Sequence, residues 1–272
     1  MTTPQTAPRN TETGLKLRAD HITVQFGGLV AVNDVSFTIP EQSVVSLIGP
    51  NGAGKTTFFN VLTGLYRATS GRVVLGDRDI TTLVPHKIAA LGMARTFQNI
   101  RLFGLMTAEE NVKVAMHSKL RAGPFHTIVR TPRQRREERE AQETARELLE
   151  FVGIGKFAGE YARNISYGDQ RRLEIARALA LDPSVLLLDE PTAGMNPQES
   201  ATFTSFVHRL RDEKDLSVLL IEHDMSVVMQ VSDRITVLDR GEKIAEGGPD
   251  DIRNDQRVIE AYLGKSGRDK KI

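Results

Sequence analysis

The sequence VVSLIGPNGAGKTTFFNVL occupies residues 44–62 and specifies one kind of local structure. An apolar run leads into the pattern G-x-x-x-x-G-K-[ST] at Gly49–Thr56, and a helix-forming run begins at Lys55. A strand, a glycine-rich loop and a helix in this order form the context in which the pattern binds phosphate. Glycines let the backbone N–H groups point at phosphate oxygens, and the helix N-terminus adds a favourable dipole. The stretch therefore predicts a nucleotide-binding α/β fold.

Two side chains of this loop have expected roles in phosphate and metal binding. In such loops the lysine, here Lys55, reaches the β- and γ-phosphates, and the hydroxyl of Thr56 ligates Mg²⁺. From average composition, a chance match to the pattern in a chain of this length has a frequency of about one in a hundred. The residues expected to bind the nucleotide are Gly49, Pro50, Asn51, Gly52, Ala53, Gly54, Lys55, Thr56 and Thr57.

The rest of the chain alternates between strands and helices. Residues 15–48 have a strand-like alternation, and a helix is predicted at about 55–65. After Asn164, strands are predicted at 184–190, 216–222 and 234–239, and helices at 169–181, 197–210 and 225–231. Strands separated by helices of this length indicate a parallel sheet covered on both faces. Residues 107–165 lack strands and are predicted to form a helical subdomain inserted into this core.

Composition limits the possible functions. The 272 residues carry 36 Lys and Arg against 35 Asp and Glu, so net charge directs the protein neither to nucleic acid nor to anionic lipid. The absence of cysteine excludes disulfides and thiolate metal sites. Residues 1–14 lack the apolar segment of a signal peptide and are expected to be a disordered tail. Because the apolar runs are too short to span a bilayer, we expect no direct membrane insertion.

Polar side chains follow several of the predicted strands. Asp189 and Glu190 end a buried strand, His223 follows another, and Gln98 follows a third. Alone, each pattern is weak evidence for a catalytic or metal-binding role. Many strands end in an acid, and a single histidine is more often a structural hydrogen-bonding group. Beside a phosphate loop, strand ends point at the ligand crevice. There, Asp189 is expected to bind a metal, and Glu190 to accept a proton from water attacking the γ-phosphate.

The stretch NISYGDQRRLEIARALA, residues 164–180, predicts a second helix start that faces an anion. Asn164 and Ser166 are good capping residues, and Gly168 allows an anion close to the backbone. An ordinary capped helix is the alternative. Because the loop at Gly49–Thr56 already accounts for one nucleotide, this helix start would bind another substrate phosphate or a nucleotide held by a second copy.

These motifs occur together, in this order and at about this spacing, in ATP-binding-cassette (ABC) ATPases. Gly49–Thr56, Gln98, ISYGDQRR, LLLDEP and His223 carry the resemblance, which covers about residues 15–264. It implies an α/β P-loop NTPase fold with a mainly parallel core sheet and an N-terminal antiparallel β-subdomain. The implied ATPase domain spans 15–264, with its core at 15–106 and 166–264, its helical subdomain at about 107–165, and a polar tail at 265–272.

The resemblance also implies roles for individual residues. ATP and Mg²⁺ are the implied ligands, with Thr56, Gln98 and Asp189 at the metal and Phe26 stacked on adenine. Glu190 would be the general base, His223 would hold the γ-phosphate and the water, and Gln98 would link Mg²⁺ to transmembrane subunits. The residues implied to contact the ATP of a second cassette are Ser166, Tyr167, Gly168, Asp169 and Gln170.

Departures from the common family pattern indicate a subgroup of ABC ATPases. The usual Leu-Ser-Gly-Gly-Gln reads Ile-Ser-Tyr-Gly-Asp from Ile165, Asn196 replaces a frequent aspartate, and the chain carries VIEAYLG near its end. The helical subdomain also contains an extended charged block at 119–146, interpreted as a solvated helix or a partner surface. Together these features resemble the ATP-binding subunits of branched-chain (hydrophobic) amino acid importers, specifically the member with a Tyr-Gly-Asp-Gln signature.

Such a subunit implies a defined set of partners. They are a second cassette (the same chain or a paralogue), two transmembrane permeases and, indirectly, a substrate-binding protein. The implied location is peripheral, at the cytoplasmic face of the cell membrane. Two alternatives remain open: a cassette serving another cargo (urea or amide uptake, or lipid export), and a soluble ABC ATPase acting on nucleic acid. The balanced charge and single cassette disfavour the last.

Overall fold

The computed structural model describes residues 14–98, 100–116 and 132–263 of the chain. The expected tail at 1–14 lies outside this part except for its last residue. The expected tail at 265–272 lies outside it as well, and so does the first half of the charged block, up to residue 131. Within the rest of that block, Arg136 and Glu140 form an ion pair at helical spacing, with 2.8 Å between Nε and Oε1.

The N-terminal part forms a four-stranded antiparallel sheet. Its strands are β1 (Leu15–Phe26), β2 (Leu29–Pro40), β4 (Ser70–Leu75) and β5 (Arg78–Asp79), in the order β2-β1-β4-β5. The register of β1 shifts between Ala19 and Ile22, and the backbone at His21 turns to a φ of 52°. Such an irregularity lets apolar side chains on both sides of it face the same core.

A second sheet has six strands and carries the candidate site. The strands are β3 (Val44–Ile48), β6 (Met93–Arg95), β7 (Val185–Asp189), β8 (Ser217–Ile221), β9 (Arg234–Asp239) and β10 (Glu242–Gly247), in the order β10-β9-β3-β8-β7-β6. All neighbours are parallel except β10, which runs antiparallel to β9. Every residue of β3, β7 and β8 is buried, as expected for parallel strands covered on both faces.

Helices cover both faces of this sheet. They are α1 (Lys55–Leu62), α2 (Pro85–Ala90), α5 (Tyr167–Leu179), α6 (Pro197–Lys214), α7 (Met225–Val231), α8 (Pro249–Asn254) and α9 (Gln256–Leu263). Alternate side chains of β7 belong to different apolar cores: Leu186 lies in the core that contains Leu173 of α5, and Leu187 lies in the core that contains Phe58 of α1. The sheet therefore separates two apolar layers, and its strand ends lie between them.

Residues 107–165 contribute helices in the part that the structure describes. These are α3 (Ala108–Met116), α4 (Pro132–Phe151) and two single-turn 3₁₀ helices at Gly155–Phe157 and Ala162–Asn164. No strand occurs among the described residues of this segment, although Thr107 and Tyr161 form an isolated bridge. Val112 and Leu149 belong to the same apolar core as Leu173. These helices therefore pack onto α5, which connects them to the sheet.

The predicted α/β class, with a mainly parallel core sheet and an antiparallel N-terminal sheet, is confirmed, while several element ends differ. The helix α1 ends at Leu62 instead of residue 65, since Gly64 takes a φ of 71°. The helix α5 begins two residues before the predicted start because Ser166 caps it. The helix α6 continues to Lys214, where Asp215 adopts a left-handed conformation. Among the described helices, none has the length and apolarity needed to cross a membrane.

Candidate functional site

The phosphate loop lies between the end of β3 and the start of α1, and two of its glycines are required by close contacts. A Cβ on Gly49 would lie 2.0 Å from the carbonyl oxygen of Leu238, and one on Gly54 would lie 2.6 Å from that of Ala31. Both glycines also have positive φ, 149° and 94°, which L side chains disfavour. Backbone from β2 and β9 therefore shapes the loop, and only glycine fits at these two positions.

The side chain of Lys55 folds back over this loop. Its Nζ donates to the carbonyl oxygens of Gly49 at 2.6 Å and Pro50 at 3.0 Å. Burial lowers the pKa of Lys55, and the carboxylate of Glu190 opposes that shift. The ammonium is thus held inside the loop, within electrostatic reach of Glu190, the acid that directly follows β7. The next side chain, Thr56, is exposed at the first turn of α1.

Asp189 is the last residue of β7 and has a partner that the sequence did not indicate. Arg95, at the end of β6, places Nη2 3.5 Å from Asp189 Oδ2. Its Nη1 also donates to Asn60 Oδ1 of α1 and to the Oγ1 of Thr63, the residue that caps the end of α1, both at 3.1 Å. Burial raises the pKa of the Asp189 carboxyl, and Arg95 opposes this. Arg95 therefore links the helix after the phosphate loop to the predicted metal-binding acid.

The three predicted catalytic side chains meet at Glu190. Gln98 Nε2 donates to Glu190 Oε2 at 2.9 Å, and His223 Nδ1 lies 3.9 Å from the same oxygen. Glu190 has a left-handed backbone with a φ of 46°, and its N–H donates to Ile221 of β8 at 2.9 Å. The His223 side chain is 65% exposed. The ends of β6, β7 and β8 thus bring together an acid, an amide and an imidazole.

Glu222, beside His223, is a buried acid that sequence reasoning missed. Its Oε1 accepts from the backbone N–H of Thr192 at 2.8 Å and from the Thr192 hydroxyl at 2.6 Å. Its Oε2 accepts from the N–H of His223 at 3.2 Å. Glu222 therefore ties the loop after Glu190 to the loop that carries the histidine. An acid directly before His223, at the end of an apolar strand, was the available signal.

The second anion-facing helix start is open to solvent. The Ser166 hydroxyl accepts from the N–H of Asp169 at 3.2 Å and donates to its carboxylate at 2.7 Å, which caps α5. A Cβ on Gly168 would meet no atom within 4 Å. Tyr167 is 55% exposed. Among the described residues, no hydrogen bond or ion pair joins Ser166–Gly168 to the loop at Gly49–Thr56, so this helix start does not complete the chain's own phosphate site.

Two further predicted positions have local roles. Phe26 is exposed and makes an edge-to-face contact with Tyr66, with 5.5 Å between ring centroids. Asn196 caps α6: its side chain accepts from the N–H groups of Gln198 and Glu199 at 3.0 Å. Asparagine and aspartate cap helices about equally well. The departure from the frequent aspartate therefore preserves the local structure of this turn.

Comparisons with known proteins identify the family. A family model described as ABC transporter matches residues 32–193, and one described as branched-chain amino acid ATP-binding cassette transporter matches residues 242–267. The chain belongs to the ABC transporter family, and it is an ATP-binding subunit that couples ATP hydrolysis to transport. Within that family it is similar to the branched-chain amino acid cassettes, so the resemblance found in the sequence is confirmed.

The similar proteins cover nearly the whole chain. The high-affinity branched-chain amino acid transport ATP-binding protein LivG of Salmonella typhimurium is 48% identical over 92% of this chain and 98% of its own. The corresponding protein BraF of Pseudomonas aeruginosa is 49% identical with the same coverage. The crystal structure of the ADP conformation of MJ1267, an ATP-binding cassette of an ABC transporter, superposes with a TM-score of 0.80. It is 31% identical, and the match covers 93% of this chain and 100% of that one.

Proposed function

We propose that this chain is the ATP-hydrolysing motor of an importer for branched-chain amino acids. The meeting of Gln98, Glu190 and His223 beside the phosphate loop is the observation that carries the hydrolytic part. The cargo is taken from the names of LivG and BraF and from the matching model at residues 242–267. That model covers β10, α8 and α9, which follow the catalytic loops.

The contacts around Glu190 support its role as the general base. One carboxylate oxygen, Oε2, accepts from Gln98, whereas Oε1 accepts no hydrogen bond from the described residues. Oε1 is thus free to take a proton from water as the water oxygen attacks the γ-phosphorus. Lys55 and the backbone N–H groups of the loop stabilise charge on the transferring phosphoryl group. His223, at 3.9 Å from Oε2, is positioned to contact the water and the γ-phosphate.

The donor atoms at the strand ends suit Mg²⁺. Thr56 offers a hydroxyl, Asp189 a carboxylate, and Gln98 an amide oxygen not engaged by Glu190. Oxygen ligands of this kind, completed by phosphate oxygens and water, are those that Mg²⁺ prefers. A bound cation would favour the ionised form of Asp189, whose pKa is raised by burial. When bound, the ion would neutralise charge on the β- and γ-phosphates.

We further propose that a second cassette completes each site. The residues Ser166, Tyr167, Gly168, Asp169 and Gln170 would then face the ATP held by the partner's loop. Support comes from the start of α5, where a Cβ on Gly168 would meet no atom within 4 Å and where, among the described residues, no hydrogen bond or ion pair reaches the chain's own phosphate loop. The partner would be the same chain or a paralogue. We also propose the domain division that the sequence predicts, with a helical subdomain at about 107–165 that contains α3 and α4.

An exposed apolar surface offers a site for the permeases. Phe103, Leu105, Met106 and Tyr161 are all exposed, and we call them the apolar patch. The two segments that carry them are joined where the N–H of Ala162 donates to Met106 O at 2.9 Å and where Thr107 bridges to Tyr161. Apolar patches on a folded surface mark interaction sites. We place the two permease subunits here, at the cytoplasmic face of the membrane, with a substrate-binding protein reaching the complex through them.

Uptake of labelled leucine, isoleucine and valine tests the cargo. In a strain that lacks this gene and other importers of these amino acids, we expect uptake to fall to background. The wild-type gene should restore it, and Glu190→Gln should not. Uptake that continues unchanged in the deletion strain would overturn the amino acid assignment, while leaving ATP hydrolysis by the purified chain to be judged on its own.

A further inference from the structure

The helix α5 carries a buried ion pair that the proposed mechanism does not use. Arg171 and Glu174, one turn apart, are 1% and 5% exposed, and Arg171 Nη1 lies 3.1 Å from Glu174 Oε2. We call this pair the α5 clamp. Burying two charges costs several kcal/mol per ion, and apolar residues of similar volume would often serve stability as well or better. Stability alone therefore gives little reason for a charged pair here.

The α5 clamp forms hydrogen bonds with the backbone of the segment that bears Gln98. Arg171 Nη1 donates to the carbonyl oxygen of Phe97 at 2.6 Å, and Nη2 donates to that of Gln98 at 2.9 Å. In the opposite sense, the N–H of Phe97 donates to Glu174 Oε1 at 3.2 Å. Two side chains thus fix three consecutive peptide units, one hydrogen bond to each. The segment at 97–98 must follow α5 if this helix moves.

Gln98 links the α5 clamp to Glu190, the proposed general base. Its side chain donates to Glu190 Oε2 at 2.9 Å, while its own carbonyl is held by Arg171. A displacement of α5 by a few tenths of an ångström would therefore change the hydrogen bond that orients the base. Hydrogen bonds weaken steeply as their distance and angle depart from the optimum.

The other end of the clamp reaches the exposed start of α5. The hydroxyl of Tyr167 lies 3.4 Å from Arg171 Nη2, and the Arg171 guanidinium lies 5.9 Å from the centre of the Tyr167 ring. Tyr167 stands between Ser166 and Gly168. One buried arginine thus contacts both Tyr167, at the helix start expected to meet a partner's nucleotide, and the backbone that positions Gln98.

We propose that Arg171 and Glu174 are positioning residues that set Gln98 against Glu190 according to the position of α5. Nucleotide held by a second cassette would displace or fix α5 through Ser166–Gly168, and the clamp would pass this to the chain's own base. The inference rests on the proposed function for its second cassette. It adds a route by which one ATP site senses the other.

A double-mutant cycle on the purified full chain tests this proposal. The variants are Arg171→Met and Glu174→Gln, each made alone and in a Gln98→Ala background, with kcat and KM measured for ATP hydrolysis. We expect each single substitution to lower kcat about tenfold, as for loss of a hydrogen bond to a charged group, with KM within about twofold. In the Gln98→Ala background, the same substitutions should lower kcat by less than about twofold, since they act through Gln98.

The control is Arg136→Met, which removes an exposed arginine paired with Glu140 and should leave kcat unchanged. Equal losses in both backgrounds would overturn the proposal, because the clamp would then act independently of Gln98. If Arg171→Met does not fold, the isosteric Glu174→Gln alone tests the proposal. Its loss of kcat is then compared between the wild-type and Gln98→Ala backgrounds. ATP-driven dimerisation of Glu190→Gln, measured by gel filtration, tests the second cassette separately.

Discussion

At the scale of single residues, Glu190 combines an unfavourable backbone with a central position. A left-handed conformation costs a residue with a side chain about 1–2 kcal/mol. Here the φ is 46°, and the N–H bond to Ile221 of β8 holds it. The turn aims the carboxylate away from the strand direction, toward Gln98 and His223. Strain of this kind is found where a site requires one orientation of a side chain.

Replacing Glu190 by glutamine should separate binding from hydrolysis. We expect Glu190→Gln to bind ATP as the wild type does, because Lys55 and the loop are untouched, and to lower kcat by about 100-fold or more since the base is gone. Isothermal titration and a phosphate-release assay measure the two quantities. Glu213→Gln, an exposed acid paired with Arg209, is the matched control. Wild-type turnover by Glu190→Gln would remove Glu190 from the mechanism.

At the scale of elements, the glycine at the start of α5 lowers the stability of the helix but leaves its N-terminus accessible. Gly168 lies in the first turn, where alanine would stabilise the helix by up to about 1 kcal/mol. Nothing in the described structure occupies the space in front of it. The glycine is therefore not required by the fold of this chain. Its absence of a side chain keeps the capped N-terminus accessible.

Adding a methyl group at Gly168 should lower ATPase activity while keeping or raising the stability of the fold. We expect Gly168→Ala to keep or raise the free energy of unfolding, measured in urea, by up to about 1 kcal/mol. Its kcat should fall on the order of tenfold or more because the methyl displaces the partner's phosphate. Gly159→Ala, at an equally open glycine elsewhere, should leave both unchanged. Undiminished ATPase activity in dimeric Gly168→Ala would contradict the assignment of this helix start.

At the scale of the whole molecule, one sheet supplies the chemistry and the helices around α5 supply the surfaces for partners. The apolar core that contains Val112 and Leu149 also contains Leu186 and Leu188 of β7. The helices α3 and α4 are thus packed continuously with the sheet through α5. The apolar patch begins at Phe103, five residues after Gln98, and the adjacent Leu102 packs against this core.

A charge in the apolar patch should separate transport from ATP binding. Leu105 is 73% exposed, so Leu105→Asp should leave the fold and the affinity for ATP unchanged. Co-purification with the permeases and amino acid uptake should both fall by at least about tenfold, as expected for a charge placed in an apolar contact. The conservative variant Leu105→Met should retain both. Normal co-purification of Leu105→Asp would move the permease contact elsewhere on the molecule.

The sequence predicted those parts of the site that depend on local patterns. The strands β3, β7 and β8 are continuous apolar runs, so the positions of Asp189, Glu190 and His223 at their ends could be predicted. The contacts of Arg95 with Asp189 and of Arg171 with the backbone of Phe97 and Gln98 could not, because these groups are distant in sequence. The strand β10 was missed for a related reason: EKIAEG is half charged, and only Ala245 is buried.

The contact between Gly49 and Leu238 has a consequence for the order in which the protein is made. The strand β3 is an interior strand, and its two neighbours, β8 and β9, are among the last strands synthesised. The phosphate loop follows β3 directly, yet it closes against the carbonyl of Leu238, at the end of β9. In a nascent chain, the part of the pocket wall that β9 forms is therefore missing until this strand has left the ribosome. We expect the complete nucleotide pocket to form only when the core sheet is almost complete.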